Sequence, residues 1–164
     1  MRIKQGSTLF LKIVISLIGI VALAGMIRFP QTEGRAANLD LISIYKDPFI
    51  IYLYIASIPF FVALYQAIKL LGFVEKNTVF SQSAVEAVRK IKYCAIAYIG
   101  FIAVAISYIS VMAKLTNGDD DPAGFVAIGL VLIFASSVIA TAAAVLQRLL
   151  QHAVDIKSEN DLTV

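Results

Sequence analysis

Cys94 and His152 are the two side chains in this chain that could form a nucleophilic pair. A thiol becomes a strong nucleophile when an imidazole takes its proton and a third group orients that imidazole. The chain has one cysteine and one histidine, and their positions indicate neither contact nor an orienting group. We therefore interpret Cys94 as a small packing residue and His152 as a surface residue. No catalytic residue is predicted, and the protein is expected not to be an enzyme.

An acidic run at residues 117–121 could suggest a calcium site. It reads Asn-Gly-Asp-Asp-Asp, and it lacks the alternating acidic positions and the distant glutamate of a calcium-binding loop. A tight Asn-Gly turn followed by a helix cap explains the run without a ligand. We predict no metal site and no cofactor.

Four long apolar runs must position every other residue of the chain. They cover 9–27, 49–71, 93–113 and 124–146, and each holds between 19 and 23 residues. About 20 helical residues cross a bilayer, and a backbone in lipid must satisfy its own hydrogen bonds. The runs predict an all-α membrane protein: a four-transmembrane-helix bundle in the lipid bilayer, forming one domain over 1–164.

The first run also has the outline of a cleavable signal peptide. Arg2 and Lys4 precede it, and Ala22-Leu23-Ala24 resembles a cleavage site. Lys12 stands late for the basic region of such a peptide, and the apolar run continues to Ile27. We therefore favour an uncleaved first span.

The orientation follows from the positions of Lys and Arg. The N-terminus, the connection 69–92 and the tail hold 10 of these residues, and the other side holds 4. The positive-inside rule then places both termini in the cytoplasm of a bacterial cell, with the spans in the inner membrane. This distribution explains the net charge of +3 without direct nucleic-acid binding.

Prolines predict several helix boundaries. Pro30 is expected to end span one, whereas Asp47-Pro48 and Asp121-Pro122 are typical helix starts. Pro59 lies inside span two and predicts a kink. The outer loop 28–48 has an apolar second half, which could cap the helix bundle.

The inner loop predicts a helix start near residues 81–83. Ser83 with Glu86 makes a capping box, and Ser81, flanked by Phe80 and Val85, makes a hydrophobic staple. The helix that follows is amphipathic and basic, so its apolar face is expected to rest on anionic headgroups. That face comprises Ala84, Val85, Val88 and Ile91; the opposite face carries Glu86, Arg89 and Lys90.

The apolar pattern continues past the last span. Leu146, Leu149, Leu150 and Val154 keep one stripe, which predicts an amphipathic cytoplasmic helix to about residue 157. The cytoplasmic tail 147–164 then closes with a polar end.

Small residues form seams on spans three and four, where they would let helices approach closely. Packing within the bundle is the simplest use, and self-association into a homo-oligomer is the second. The predicted helix-packing residues are Gly100, Ala103, Ser107, Gly129, Ser136 and Ala140.

Transport chemistry is sparse in the spans. Ionisable groups in the bilayer interior mark ion pathways, but Lys12 and Lys69 lie near the cytoplasmic ends, where long side chains reach the headgroups. Gln66 is the main buried polar group expected. The pattern argues against a pump or an ion-coupled transporter.

The end of the chain resembles an uncharacterised family of small bacterial four-span membrane proteins. The ending Glu159-Asn160-Asp161-Leu162-Thr163-Val164 carries the resemblance, together with Asn77, Phe80 and Ser81 in an Asn-x-x-Phe-Ser turn. The resemblance implies that the gene for this protein lies beside one that encodes a small helix-turn-helix regulator. The protein would then be a membrane partner for a transcription factor. It implies no catalytic or ligand residues.

The leading hypothesis is therefore an inner-membrane protein that acts as a membrane-bound interaction or regulatory partner of a cytoplasmic protein, such as a helix-turn-helix regulator. The alternative is an oligomeric small-solute transporter or permease. Packing of the tail on the inner loop for stability alone is an equally simple role for the tail. The predicted partner surface comprises Asn77, Phe80, Ser81, Arg89, Lys90, Glu159, Asn160, Asp161 and Leu162.

Overall fold

Four α-helices make up the part of the protein that the structure, a computed structural model, describes. The described residues are 5–32, 48–116 and 122–162. The helices are α1 (Gln5–Thr32), α2 (Pro48–Glu75), α3 (Gln82–Thr116) and α4 (Ala123–Leu162). Within these ranges no strand is present, so the predicted all-α class is confirmed.

The helices are long enough for a membrane and, in two cases, much longer. α1 and α2 have 28 residues each, α3 has 35 and α4 has 40. At 1.5 Å per residue, α4 is about 60 Å long, twice the thickness of a hydrocarbon core of about 30 Å. All four helices are apolar enough to cross a bilayer. The four predicted spans are confirmed.

Lipid, rather than protein, must cover much of the helical surface. Phe10 is 66% exposed and Phe134 is 72% exposed, and they are two among many large apolar side chains that face outward. A water-soluble monomer rarely shows apolar surface on that scale. The helices pack mainly on their neighbours in sequence, α1 on α2, α2 on α3 and α3 on α4, so α1 lies at the edge of the group.

Pro30 does not end the first helix as predicted, because α1 continues to Thr32, although the apolar span within it runs only from Gly6 to Arg28. A proline inside a helix has no N–H for the carbonyl four residues earlier, which here is Met26. The Tyr54 hydroxyl in α2 donates to that carbonyl, with an O–O distance of 3.2 Å. The hydroxyl therefore supplies a hydrogen bond in place of the one that proline removes.

Other boundary predictions have mixed outcomes. α2 begins at Pro48 as predicted, and it passes through Pro59 as one helix; the kink at Pro59 stays a prediction. The Pro122 carbonyl accepts a hydrogen bond from the Val126 N–H at 2.9 Å, as expected one turn into α4. Asp47, Asp121 and the apolar part of the loop 28–48 lie outside the described residues.

The turn between α2 and α3 is tight because both helix ends are capped. Asn77 has a positive φ of 54°, and the Thr78 N–H donates to the Phe73 carbonyl at 2.9 Å, as in a Schellman cap with asparagine in the left-handed position. Ser81 caps α3, since its Oγ accepts from the Ala84 N–H at 3.4 Å. The cap is thus at Ser81, and the alternative capping box at Ser83 is wrong.

The best-buried cluster lies mainly beyond the predicted spans, where α3 begins and α4 continues, and Ala143 joins it from the end of span four. Val85 and Val88 in α3 are fully buried, and they pack with Leu150 and Ala143 of α4. The prediction that this face of α3 rests on headgroups is wrong. The facing stripe of α4 covers it instead, because both stripes are apolar and lie side by side at the same end of the bundle.

Candidate functional site

The residues considered for catalysis do not form a site. Cys94 is a half-buried free thiol, and His152 is exposed on α4. No hydrogen bond joins these two side chains. Among the described residues no group of acidic, histidine or cysteine side chains could hold a metal ion; the acidic run 117–121 lies outside them.

The strongest candidate is a surface at the end of the bundle that carries both termini. We define the tail platform as residues 82–92 of α3 together with 147–162 of α4. The last 16 residues of α4 project about 24 Å past the predicted span end at Leu146, at 1.5 Å per residue. α4 ends at Leu162 rather than near residue 157, so the expected polar end is a continuation of the helix.

Side-chain contacts hold the two halves of the tail platform together. The Lys92 Nζ in α3 donates to the Gln147 Oε1 in α4 at 2.8 Å, and Val88 and Leu150 share an apolar cluster. Leu70 of α2 packs against this cluster and so connects the platform to the spans.

The platform carries exposed basic residues beside the exposed acidic residues Glu86, Asp155 and Glu159. Arg89 and Lys90 are both exposed, and neither forms an ion pair with another residue that the structure describes. Arg148 on α4 is exposed as well. These cations are available to an acidic partner, which would be steered toward the platform.

A second face of the tail helix is apolar and uncovered. Leu149 is 62% exposed and Ile156 is 61% exposed. Seven residues separate them, so they lie on the same side of α4, whereas Leu150 and Val154 point into the cluster with α3. A helix with one face packed and another apolar face exposed can bind a partner through side chains spaced by two turns.

The predicted partner-surface residues divide into two groups. Asn77 and Ser81 are helix caps, so their side chains and backbone have a structural role. Phe80, between them, is 57% exposed and free to contact a partner or the membrane surface. The turn thus presents one aromatic ring from a rigid connection.

Four residues of the end motif, 159–162, belong to α4; Thr163 and Val164 lie outside the described residues. Glu159 and Asn160 are exposed on the last turns of α4, and the Ser158 Oγ donates to the Asp155 carbonyl at 2.8 Å.

The two predicted small-residue seams differ in burial, and the seam on α4 is the buried one. Gly129 and Ser136 are buried and Ala140 is half-buried. A Cβ on Gly129 would lie 2.6 Å from the Ile106 Cδ1, so α3 and α4 approach closely there. The predicted packing seam on α4 therefore lies in the α3–α4 interface.

The predicted seam on α3 does not pack against the parts of the chain that the structure describes. Gly100, Ala103 and Ser107 are exposed, and a Cβ on Gly100 would have nothing within 4 Å. Larger residues of α3, Ile102 and Ile106, instead contact Gly129, so a small residue was needed on one of the two helices only. Self-association through the exposed seam stays a prediction.

Sequence reasoning missed a cavity in the half of the bundle far from the termini. It has a volume of about 540 Å³, and all four helices line it. Aromatic rings dominate its wall: Tyr52 meets Phe101 edge-on at 5.9 Å, and Phe60 lies 6.1 Å from Tyr98. The available signal was the density of aromatic residues in span two, since a membrane helix needs no aromatic rings in its middle.

The comparisons with known proteins agree with a membrane protein. The chain is 50% identical over 160 residues to the uncharacterized membrane protein YoaS of Bacillus subtilis (strain 168), which covers 96% of this chain and 98% of the relative. No solved structure matches. The model of the family "Protein of unknown function (DUF2975)" matches residues 31–164. This integral membrane protein with four spans therefore belongs to the DUF2975 family.

Proposed function

We propose that the protein is a membrane-bound docking protein without catalytic activity, which holds a cytoplasmic regulatory partner at the bacterial inner membrane. One observation carries the proposal: α4 continues as a helix past the predicted span end at Leu146 and leaves Leu149 and Ile156 exposed on one face. In water such residues are costly unless a partner or a membrane surface covers them.

The packing of the tail platform supports this function. A tail that served stability alone would bury one apolar stripe, and the stripe of Leu150 and Val154 does so. The second stripe contributes nothing to that contact. The burial of Val85 and Val88 makes the platform rigid, and a rigid surface loses less entropy when a partner binds.

The proposed orientation places this platform in the cytoplasm, because the basic residues cluster at that end. The proposed partner is a small helix-turn-helix regulator with an apolar groove. An amphipathic helix in a groove is recognised by side chains spaced like Leu149 and Ile156. The regulator would contact DNA itself, so the membrane protein needs no nucleic-acid surface.

A binding assay with the regulator encoded beside the gene tests the proposal. We expect the purified regulator to bind vesicles that contain the full-length protein, and Ile156→Ser to weaken binding by about 10-fold, since an interface anchor contributes about 1–2 kcal/mol. The neighbouring Lys157→Ser is the matched control, because it alters an exposed residue on a different face.

Three results bear on the proposal. Deletion of residues 158–164 is expected to weaken binding while the protein stays inserted in the membrane. If the regulator does not bind the wild-type protein, the proposed partner is wrong. If binding is equal in Ile156→Ser and Lys157→Ser, the exposed stripe is not the docking surface.

The structure gives less support to a small-solute transporter. The cavity is the natural substrate site, but its lining residues include no charged side chain. Polar solutes need hydrogen-bonding groups that remain available. Solute flux through proteoliposomes of the pure protein would show that the transporter alternative is correct.

A further inference from the structure

The cavity between the four helices has no place in the docking function, and its chemistry defines what it can bind. Its walls come from Ala22 and Gly25 of α1, the aromatic residues of α2 and α3, and Gly129 of α4. At about 540 Å³ it lies within the range of ligand sites in proteins, about 300–1,000 Å³. All of these residues lie inside the predicted spans.

The cavity exists because α1 and α4 do not close against each other. α1 makes its extensive contacts with α2, and α4 makes its own with α3. α1 turns the small residues Ala22 and Gly25 toward the gap, beside Met26, whereas α4 contributes Gly129 together with larger apolar residues. A Cβ on Gly25 would have nothing within 4 Å, so the space next to it is open.

The polar atoms of the wall are largely committed to other partners. The Tyr52 hydroxyl donates to the Phe101 carbonyl at 2.6 Å, and the Tyr54 hydroxyl donates to the Met26 carbonyl. The Ser57 Oγ donates to the Tyr54 carbonyl at 2.7 Å. The cavity therefore presents ring faces and methyl groups, and these suit hydrocarbon better than water or a polar solute.

An occupant is favoured on physical grounds. Water in an internal site needs two to four polar partners, so an apolar cavity stays dry. An empty cavity of this size loses the dispersion contacts that close packing would give its lining atoms. Lipid chains surround the spans and can enter between α1 and α4.

We propose that the cavity binds the hydrocarbon chain of a membrane lipid, held between the aromatic rings of α2 and α3, the small residues of α1 and the apolar side chains of α4. The inference is independent of the docking function. Two other groups could fill the same space: the connection between α1 and α2, or a side chain from a second copy of the protein.

Tryptophan fluorescence can identify the occupant, because the chain contains no tryptophan. Phe60→Trp places one fluorophore in the cavity wall. Phe134→Trp is the matched control on the outer surface of α4, where Phe134 is 72% exposed. Gly129 of α4 packs against Ile102 of α3. Phe134 lies five residues after Gly129, and Tyr98 lies four residues before Ile102, so the two rings are at about the same depth. Tyr98 in turn contacts Phe60.

Both full-length variants would be reconstituted in vesicles of phosphatidylethanolamine and phosphatidylglycerol with chains brominated near the middle. Bromine quenches tryptophan at contact, so we expect strong quenching of both fluorophores. Gly25→Phe fills the cavity and should remove most of the quenching from Phe60→Trp alone. Gly100→Phe, which also adds a ring at a glycine with open space, should leave both signals unchanged.

Absence of quenching in Phe60→Trp, with normal quenching in Phe134→Trp, would overturn the proposal, because protein then fills the cavity. Quenching that Gly25→Phe does not reduce would overturn it too. Gly25→Leu provides a smaller filling residue: should Gly25→Phe fail to insert, the same loss of quenching in Gly25→Leu supports the proposal, and unchanged quenching refutes it.

Discussion

Replacing Val88 by alanine tests whether the main core of this membrane protein lies outside the bilayer. Val88 is 1% exposed and packs with Val85 and Leu150. The substitution removes two methyl groups, which contribute about 1.6 kcal/mol at about 0.8 kcal/mol per buried carbon. The cavity that remains adds to this loss, so we expect the free energy of unfolding to fall by about 1.5–3 kcal/mol.

Val131→Ala is the matched control. Val131 has the same side chain on α4 but is 66% exposed, within a span. Lipid tails are as apolar as valine and fill the space that its methyl groups leave, so its expected effect is within about 0.5 kcal/mol. Both variants gain the same helix propensity from alanine, and that term cancels in the comparison.

The assay is reversible unfolding in mixed micelles, with helix content followed as the denaturing detergent is increased. In a Leu150→Ala background, Val88→Ala should lower the free energy of unfolding by less than it does in the wild type, since residues in contact are coupled by about 0.5–3 kcal/mol. Equal losses for Val88→Ala and Val131→Ala would refute the reasoning, because burial in the cluster would then give no more stability than contact with lipid.

Two further predictions use the same assay and concern contacts between the spans. Tyr54→Phe deletes the donor to the Met26 carbonyl, so the free energy of unfolding should fall by about 0.6–1.7 kcal/mol, as for other hydrogen bonds between membrane helices; no change would mean that the carbonyl needs no donor there. Gly100→Ala and Gly129→Ala each gain about 1 kcal/mol of helix propensity. Gly129→Ala must also displace Ile106, which costs about 1–3 kcal/mol, so it should be the less stable variant; equal stabilities would contradict the close approach of α3 and α4.

The helix boundaries show where sequence patterns were sufficient. Ser81 and Pro48 mark helix starts that local chemistry predicts, because a cap acts on backbone groups a few residues away. Pro30 was misjudged, since the donor that compensates for its missing N–H is the Tyr54 hydroxyl, which lies on another helix, 28 residues from the Met26 carbonyl to which it donates. A local pattern holds no information about such a donor.

The faces of the helices show where sequence patterns were insufficient. Gly129 and Gly100 look alike in sequence, yet one is packed against Ile106 and the other is open. In lipid both faces of a span are apolar, so periodicity does not say which one meets a neighbour. The start of α3 was recognisable as amphipathic from its sequence. The sequence did not say whether lipid headgroups or another helix covers the apolar stripe of Val85 and Val88.

The sequence by itself determined the solvent of this protein. Four apolar runs of 19 to 23 residues, with no charge in the middle third of any of them, must be helices in lipid, because a helix satisfies its own backbone hydrogen bonds there. Only the tertiary structure decided what those helices enclose: a packed cluster at the end where α4 runs past the membrane, an exposed stripe at Leu149 and Ile156, and an aromatic cavity. The physical reason is that such sites arise from the relative placement of helices, which depends on contacts between residues far apart in the chain.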